Sequence, residues 1–119
     1  MLVDTSVWID HLRNDRADLR ACLDAGEVVC HPFVVGELAC GTIGRRDEVL
    51  SLLAALAQVT VADHAEVMHL LEMHHLMGKG LGWIDAHLLA STQLDGEALW
   101  TLDGPLKRAA RIVGVSLIS

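Results

Sequence analysis

Short apolar segments alternate with segments of helical periodicity along nearly the whole chain, and this alternation constrains the fold most strongly. Five short apolar segments are typical of strands: LVD, EVVCH, QVTVA, ALWTL and VSLI. Seven segments between them repeat apolar residues every three or four positions, which predicts helices: TSVWIDHLR, DRADLRACLDAG, FVVGELACGTIG, RRDEVLSLLAALA, HAEVMHLLEMHHLM, WIDAHLLASTQLDG and GPLKRAARIVG. The alternation predicts an α/β fold in which helices flank a mostly parallel central sheet. We expect one domain over residues 1–119.

One helix start can be predicted in detail from local sequence. Asp63 is followed three residues later by Glu66, which is the pattern of a capping box. The helix that begins there is expected to end at the glycines that follow it, namely Gly78, Gly80 and Gly82.

Four acidic residues lie next to apolar residues instead of in charged runs: Asp4, Glu37, Asp85 and Asp103. A carboxylate near a core costs free energy unless a cation compensates it, and a bound metal ion is the simplest compensation. Asp4 and Asp103 directly follow predicted strands, so both should lie at the carboxyl edge of the sheet, where open α/β folds build their sites. Glu37 and Asp85 have apolar helical neighbours at three- and four-residue spacing, so both are expected to point inward.

Two of the four acids also have a purely structural explanation. Asp4 and Asp103 precede predicted helices, where an N-cap accounts for either residue equally well. Glu37 lies in the middle of a helix and has no such explanation. If the four converge, their all-oxygen ligand set selects a hard cation, Mg²⁺ or Mn²⁺, and not zinc.

The formal net charge of -7 argues against a general nucleic-acid coat protein, because phosphate binding needs a basic surface. It does not exclude a nuclease, since a metal ion held by acids inverts the local field. Six basic residues could form a rim for a nucleic acid and are otherwise explained as solvated surface charges: Arg13, Arg45, Arg46, Lys79, Lys107 and Arg108.

Two other site types are disfavoured by spacing. His64, His69, His74 and His75 could suggest zinc, but they lack HExxH spacing and a cysteine partner. The GKGLG segment is too short for a phosphate loop and does not connect a strand to a helix, which favours a flexible connector.

The sequence also indicates a compartment. No basic-then-apolar leader precedes the first strand, and no apolar run is long enough to span a membrane. Cys22, Cys30 and Cys40 are odd in number and show no CxxC spacing, which suits a reducing environment. We therefore expect a soluble cytoplasmic protein.

Four segments resemble a known family in both order and spacing: VDTSVWID, VVGELACG, GWIDAHLLA and LWTLDGPLKRAA, with GV near the end. They resemble the PIN domain, and specifically the VapC-type toxins of bacterial and archaeal toxin–antitoxin pairs, over nearly the whole chain. The resemblance implies a three-layer PIN-like fold and a metal-dependent endoribonuclease. It also implies a homodimer whose activity is blocked by a cognate VapB-type antitoxin that inserts a segment into or beside the acidic pocket.

The family's catalytic acids fall on Asp4, Glu37, Asp85 and Asp103 of this chain. The resemblance implies that Asp4, Asp85 and Asp103 bind Mg²⁺ or Mn²⁺, directly or through water, and that Glu37 holds a metal water or positions the nucleophile. Such a site would hydrolyse RNA with metal-activated water and leave a 5′ phosphate.

Ser6 and Thr101 match hydroxyl positions of the family that would fix carboxylate rotamers, although ordinary cap and strand roles explain them equally well. Many relatives carry a further acid at the position that Pro105 occupies here, so the number of metal ions stays open.

Three function classes remain: a ribonuclease toxin, a PIN-fold nuclease that acts in RNA maturation or on DNA without an antitoxin, and a non-catalytic acidic binding domain. The presence of all four acids and the short chain favour the first. The apolar faces of two predicted helices, 45–57 and 64–77, favour self-association, with packing inside one subunit as the alternative.

Overall fold

The computed structural model describes residues 1–119 and contains one parallel sheet. Its strands are β1 (Leu2–Val3), β2 (Val29–Cys30), β3 (Ala57–Gln58) and β4 (Leu99–Trp100). They lie in the order β3-β2-β1-β4, and every pairing is parallel. The predicted α/β fold with a mostly parallel sheet is therefore confirmed.

Seven helices flank this sheet, as the periodicity predicts. They are α1 (Thr5–Asn14), α2 (Ala17–Asp24), α3 (Pro32–Cys40), α4 (Arg46–Ala55), α5 (His64–Met73), α6 (Trp83–Asp95) and α7 (Gly104–Val113). None of them is both long enough and apolar enough to cross a membrane.

The capping box of α5 is confirmed, but the predicted end of that helix is wrong. The Asp63 carboxylate accepts a hydrogen bond from the backbone N–H of Glu66 at 2.7 Å, and the Glu66 side chain accepts one from the N–H of Asp63 at 3.0 Å. The helix ends at Met73, before the glycines, and His75 adopts a left-handed φ of 53°. The buried Leu76 then packs into the core, and its N–H bonds the carbonyl of Leu71 at 3.0 Å. Burial of this one leucine turns the chain out of the helix earlier than the glycines require.

The fifth predicted strand, VSLI, is also wrong as a strand. Leu117 makes only an isolated parallel bridge to Leu99. Leu117 and Ile118 are half-buried, whereas Leu99 and Trp100 are buried. The segment follows the edge of β4 without enough buried apolar surface to hold a longer ladder.

The core positions the ends of β1 and β4 side by side. Leu2 lies opposite Leu99 and Val3 opposite Trp100, and all four residues are buried. The chain therefore leaves both strands at the same edge of the sheet. Helix α6 contributes an unbroken buried run from Ala86 to Thr92, so its first turn is fixed beside that edge.

Candidate active site

Asp4 leaves β1 at the sheet edge and holds its carboxylate away from solvent. It stands at the N-cap position of α1, yet its side chain makes no cap hydrogen bond. Oδ2 instead accepts hydrogen bonds from Ser6 Oγ at 2.7 Å and from Thr101 Oγ1 at 2.8 Å, and only 4 % of the residue is exposed. A helix cap therefore does not explain this acid.

Asp103 makes hydrogen bonds both within its own helix and to the Thr101 hydroxyl that also binds Asp4. Its Oδ2 accepts a hydrogen bond from the backbone N–H of Leu106 at 3.0 Å, so it does cap α7. Its own N–H donates to Thr101 Oγ1 at 3.0 Å, and that hydroxyl also binds Asp4. The cap explanation holds for the Asp103 side chain, while the Asp103 backbone is linked to Asp4 through the Thr101 hydroxyl.

Asp85 lies in the first turn of α6, where its Oδ2 accepts a hydrogen bond from the N–H of Gly82 at 3.3 Å. Burial raises the pKa of Asp85, and the negative charges of Asp4, Asp103 and Glu37 raise it further, while the Gly82 hydrogen bond opposes them. Three acids from separate parts of the chain are therefore close enough to Asp85 to act on its carboxylate.

Glu37 corrects one prediction, because it does not point into the core. Helix α3 buries Val34 and Leu38, whereas Glu37 and Cys40 are exposed. Glu37 Oε1 accepts a hydrogen bond from Thr5 Oγ1 at 2.8 Å. Two apolar neighbours of Glu37, Phe33 and Cys40, line an open groove and are not fully buried, whereas Val34 packs in the core. The carboxylate therefore reaches the site from the solvent side.

Sequence reasoning overlooked Thr5. This buried residue directly follows Asp4 and joins the end of β1 to Glu37 on α3. In the sequence, Thr5 is distinguished only by a hydroxyl next to Asp4, and the family resemblance indicated Ser6 instead.

No positive side chain compensates the four acids. None of them forms a salt bridge within 4.0 Å of a lysine, arginine or histidine nitrogen. As placed, no group of three or more histidine, cysteine, aspartate or glutamate side chains could hold a metal ion. The four acids nevertheless offer only carboxylate oxygens, the donors that suit Mg²⁺, an ion that keeps several waters and needs few direct protein ligands.

Three of the six basic residues lie near elements that carry the acids. Arg13 shares a cavity of about 170 Å³ with Glu37. The Arg108 guanidinium lies against Gly104, at the start of α7. Lys79 belongs to the loop before α6.

The other three basic residues are placed differently. Lys107 lines a separate cavity of about 490 Å³ with the C-terminal residues 117–119. Arg45 lies 3.9 Å from Glu48, and Arg46 donates a hydrogen bond to the carbonyl of Ala39 at 3.2 Å. The basic rim for a nucleic acid stays a prediction.

The chain matches a protein family and is similar to a curated protein found in two bacterial strains. Residues 1–112 match the model of the PIN domain family. The chain is 52 % identical over 118 residues to Ribonuclease VapC32 of Mycobacterium tuberculosis, in strains CDC 1551 / Oshkosh and ATCC 25618 / H37Rv. The alignment covers 98 % of this chain and 95 % of the relative.

Solved structures share the fold at lower identity. FitAcB from Neisseria gonorrhoeae superposes with a TM-score of 0.67 at 20 % identity, covering 99 % of this chain and 96 % of that one. FitAB bound to the IR36 DNA fragment gives 0.66 at 20 % identity, with 98 % and 92 % covered. PAE2754 from Pyrobaculum aerophilum gives 0.59 at 15 % identity, with 95 % and 94 % covered.

Proposed function

Because the chain belongs to the PIN domain family, we propose that it is the ribonuclease toxin of a toxin–antitoxin pair. It would hydrolyse RNA phosphodiester bonds with Mg²⁺ or Mn²⁺ held by Asp4, Asp85 and Asp103. The similarity to Ribonuclease VapC32 supports the ribonuclease assignment, since it extends over 98 % of the chain.

One observation carries the proposal: none of the four carboxylates has a salt-bridge partner, and the charges of the other three raise the pKa of Asp85. Asp4 is 4 % exposed, and its carboxylate receives two hydroxyl hydrogen bonds but no cation. Like charges held together at a partly buried site cost free energy, which a protein retains where a ligand of opposite charge offsets it. A hard divalent cation has the matching charge and oxygen preference.

The residues of the chain orient the carboxylates before any ion arrives. Both hydroxyl donors of Asp4 bind Oδ2, so Oδ1 has no protein donor and is free to act as a ligand. Thr5 orients Glu37 in the same way. When bound, the ion would supply a nucleophile near neutral pH and a counter-charge for the oxygens on phosphorus.

A VapB-type antitoxin would be the physiological inhibitor. A segment of it would insert into or beside the acidic pocket, where a basic side chain of the antitoxin could supply the cation that the four carboxylates lack. A short reading frame for a DNA-binding protein directly upstream of the gene would support the toxin assignment. Its absence would favour the alternative, a PIN nuclease in RNA maturation or on DNA.

We also propose a homodimer. Three methionines on and after α5 are exposed, Met68 at 39 % and Met73 and Met77 at 60 % each. Exposed apolar surface of this kind marks contact sites between subunits. A solution mass of one chain, 12.9 kDa, would contradict this proposal.

The proposed activity is tested with structured RNAs and purified protein in Mg²⁺, Mn²⁺ or EDTA. We expect cleavage only with metal, products with a 5′ phosphate, and no cleavage by Asp4→Ala. Asp18→Ala is the matched control, because Asp18 already has the Arg16 guanidinium as its partner. Activity that survives both EDTA and Asp4→Ala would exclude the function, and products with 2′,3′-cyclic ends would exclude attack by water.

A further inference from the structure

The aromatic residues of the chain are divided between the core and one surface groove. There are four in all, three tryptophans and one phenylalanine. Trp8 and Trp100 are buried, at 2 % and 4 % exposure. Phe33 is half-buried and Trp83 is 41 % exposed. These last two are 50 positions apart in the sequence, yet both line the same groove.

The groove lies between the length of α3 and the first turn of α6, and it has a volume of about 380 Å³. Its walls are mostly apolar, and its one charged lining residue is Glu37. A ligand in this groove therefore contacts one of the four proposed catalytic acids. Trp83 begins α6, and the first turn of this helix also carries Asp85.

Trp83 is held in place by a chain of ring contacts. Its ring meets that of His87 edge to face, with centroids 4.8 Å apart and planes at 83°. His64 packs on it at 5.2 Å. His87 in turn meets Phe33 at 4.6 Å. An exposed tryptophan that is fixed in this way is a preorganised stacking surface, because little conformational entropy is lost when a flat ligand binds.

We propose that this groove binds one unpaired nucleobase of the RNA substrate, stacked on Trp83, next to the bond that is cut. The inference rests on the proposed ribonuclease function and deepens it by assigning a base subsite. Single-stranded RNA is recognised by stacking of splayed bases on aromatic side chains.

Charge favours a base over an anionic occupant. The chain has a formal net charge of -7, and Glu37 has no salt-bridge partner. A phosphate or an acidic peptide would be repelled from this groove, whereas a base is neutral and flat. The phosphate attached to that base would lie toward the carboxylates, where a bound dication offsets its charge.

The test combines protein variants with RNA that lacks single bases. A short RNA with one cleavage site is made in versions that lack one base at successive positions around that site. For the wild type, loss of the stacked base should lower kcat/KM about tenfold. Trp83→Leu should lose about tenfold on intact RNA and show no further loss from that missing base. Trp83→Phe should retain most of the activity, because it keeps an aromatic face.

A control and a second readout separate stacking from folding. Ile112→Ala changes an exposed apolar residue outside the groove and should leave kcat/KM and the missing-base pattern unchanged. RNA should quench tryptophan fluorescence on mixing, before cleavage, because Trp83 is the one exposed tryptophan. Trp83→Phe should bind the RNA without this quenching, and equal melting temperatures would verify its fold.

Several results would overturn the base subsite. One is equal sensitivity of wild type and Trp83→Leu to every missing base, and another is the absence of quenching by RNA that is cleaved. A third is a Trp83→Leu variant that cleaves normally but escapes the antitoxin or becomes monomeric, because the groove would then bind a protein. If the wild type cleaves no RNA in either metal, the proposed function fails. The base subsite would then be tested by binding alone: quenching of tryptophan fluorescence by intact RNA, but not by RNA that lacks the stacked base, would support it.

Discussion

Two acidic regions of this protein differ in whether their carboxylates have an arginine partner. At the corner between α1 and α2, Arg16 forms ion pairs with Asp10 and Asp18 at 2.9 Å each, and Arg20 pairs with Asp15. The hydrogen bond from Arg16 lowers the pKa of Asp18, and the one from Arg20 lowers that of Asp15. Each acid at this corner has its counter-charge within the chain.

The carboxyl edge of the sheet has no such counter-charge. Its four acids receive hydrogen bonds from hydroxyl and backbone N–H groups only, and burial and mutual repulsion raise the pKa of Asp85. The comparison teaches that a carboxylate by itself does not mark a site. What distinguishes the sheet edge is the absence of a compensating guanidinium where the chain elsewhere supplies one.

The largest expected effect is a difference in cleavage rate between variants that neutralise one acid in each region. Asp4→Asn keeps the shape of the side chain but removes a charge, so cleavage in Mg²⁺ should fall at least about a hundredfold. Asp18→Asn should leave the cleavage rate unchanged. Initial rates on a labelled RNA measure both variants, and similar losses for the two would remove the distinction between the regions.

The hydroxyl donors of Asp4 should have the next largest effect. Thr101→Val preserves size but removes the hydrogen bonds to Asp4 and Asp103, so metal affinity or cleavage should fall roughly 10- to 100-fold. Thr101→Ser should restore most of this loss, because it returns the hydroxyl. Metal titrations of the cleavage rate measure the effect, and a fully active Thr101→Val would show that the hydroxyl does not orient the acid.

Two substitutions of Asp103 distinguish its role as a helix cap from the role of its negative charge. Asp103→Asn retains an N-cap side chain for α7, so it should keep its stability while losing cleavage. Asp103→Ala should lose cleavage and about 1 kcal/mol of stability. Asp63→Ala, which removes the cap of α5, should lose about 1 kcal/mol yet cleave normally. Urea unfolding compares the three variants, and a cleaving Asp103→Asn would limit Asp103 to capping.

The smallest expected effects are changes of opposite sign in the melting temperatures of Asp85→Asn and Asp18→Asn, measured without metal. The pKa of Asp85 is raised on folding, so its charge destabilises the fold above that pKa, and Asp85→Asn should increase the melting temperature at pH 7. This gain should shrink as pH falls through the raised pKa and vanish below the unfolded value. The pKa of Asp18 is lowered, so its charge stabilises the fold above the unfolded value, and Asp18→Asn should decrease the melting temperature. Melting curves from pH 3 to 7 in EDTA would contradict the account if both changes had the same sign.

Local features could be predicted from the sequence more completely than distant contacts. The capping box of Asp63 and Glu66 depends on four consecutive residues, so it could be identified directly. The hydrogen bond between Thr101 and Asp4 joins residues 97 positions apart. The order of strands and acids indicated that Asp4 and Asp103 lie at the same edge of the sheet. Which of their side-chain atoms form hydrogen bonds depends on the register of Leu2 with Leu99.

Other features depended on packing that periodicity does not contain. The spacing around Glu37 predicted an inward residue, because an apolar groove wall and a core face have the same pattern. The contact of Thr5 with Glu37 and the shared groove of Phe33 and Trp83 require α1, α3 and α6 to be placed first. The early end of α5 likewise follows from the burial of Leu76.

Calorimetric titration of Mn²⁺ into the purified protein tests most directly whether the uncompensated carboxylates hold a cation. We predict saturable binding to the wild type and to Asp18→Asn, and loss of that binding in Asp4→Asn and Asp85→Asn. Absence of saturable binding to the wild type, or equal binding by all four proteins, would contradict the account.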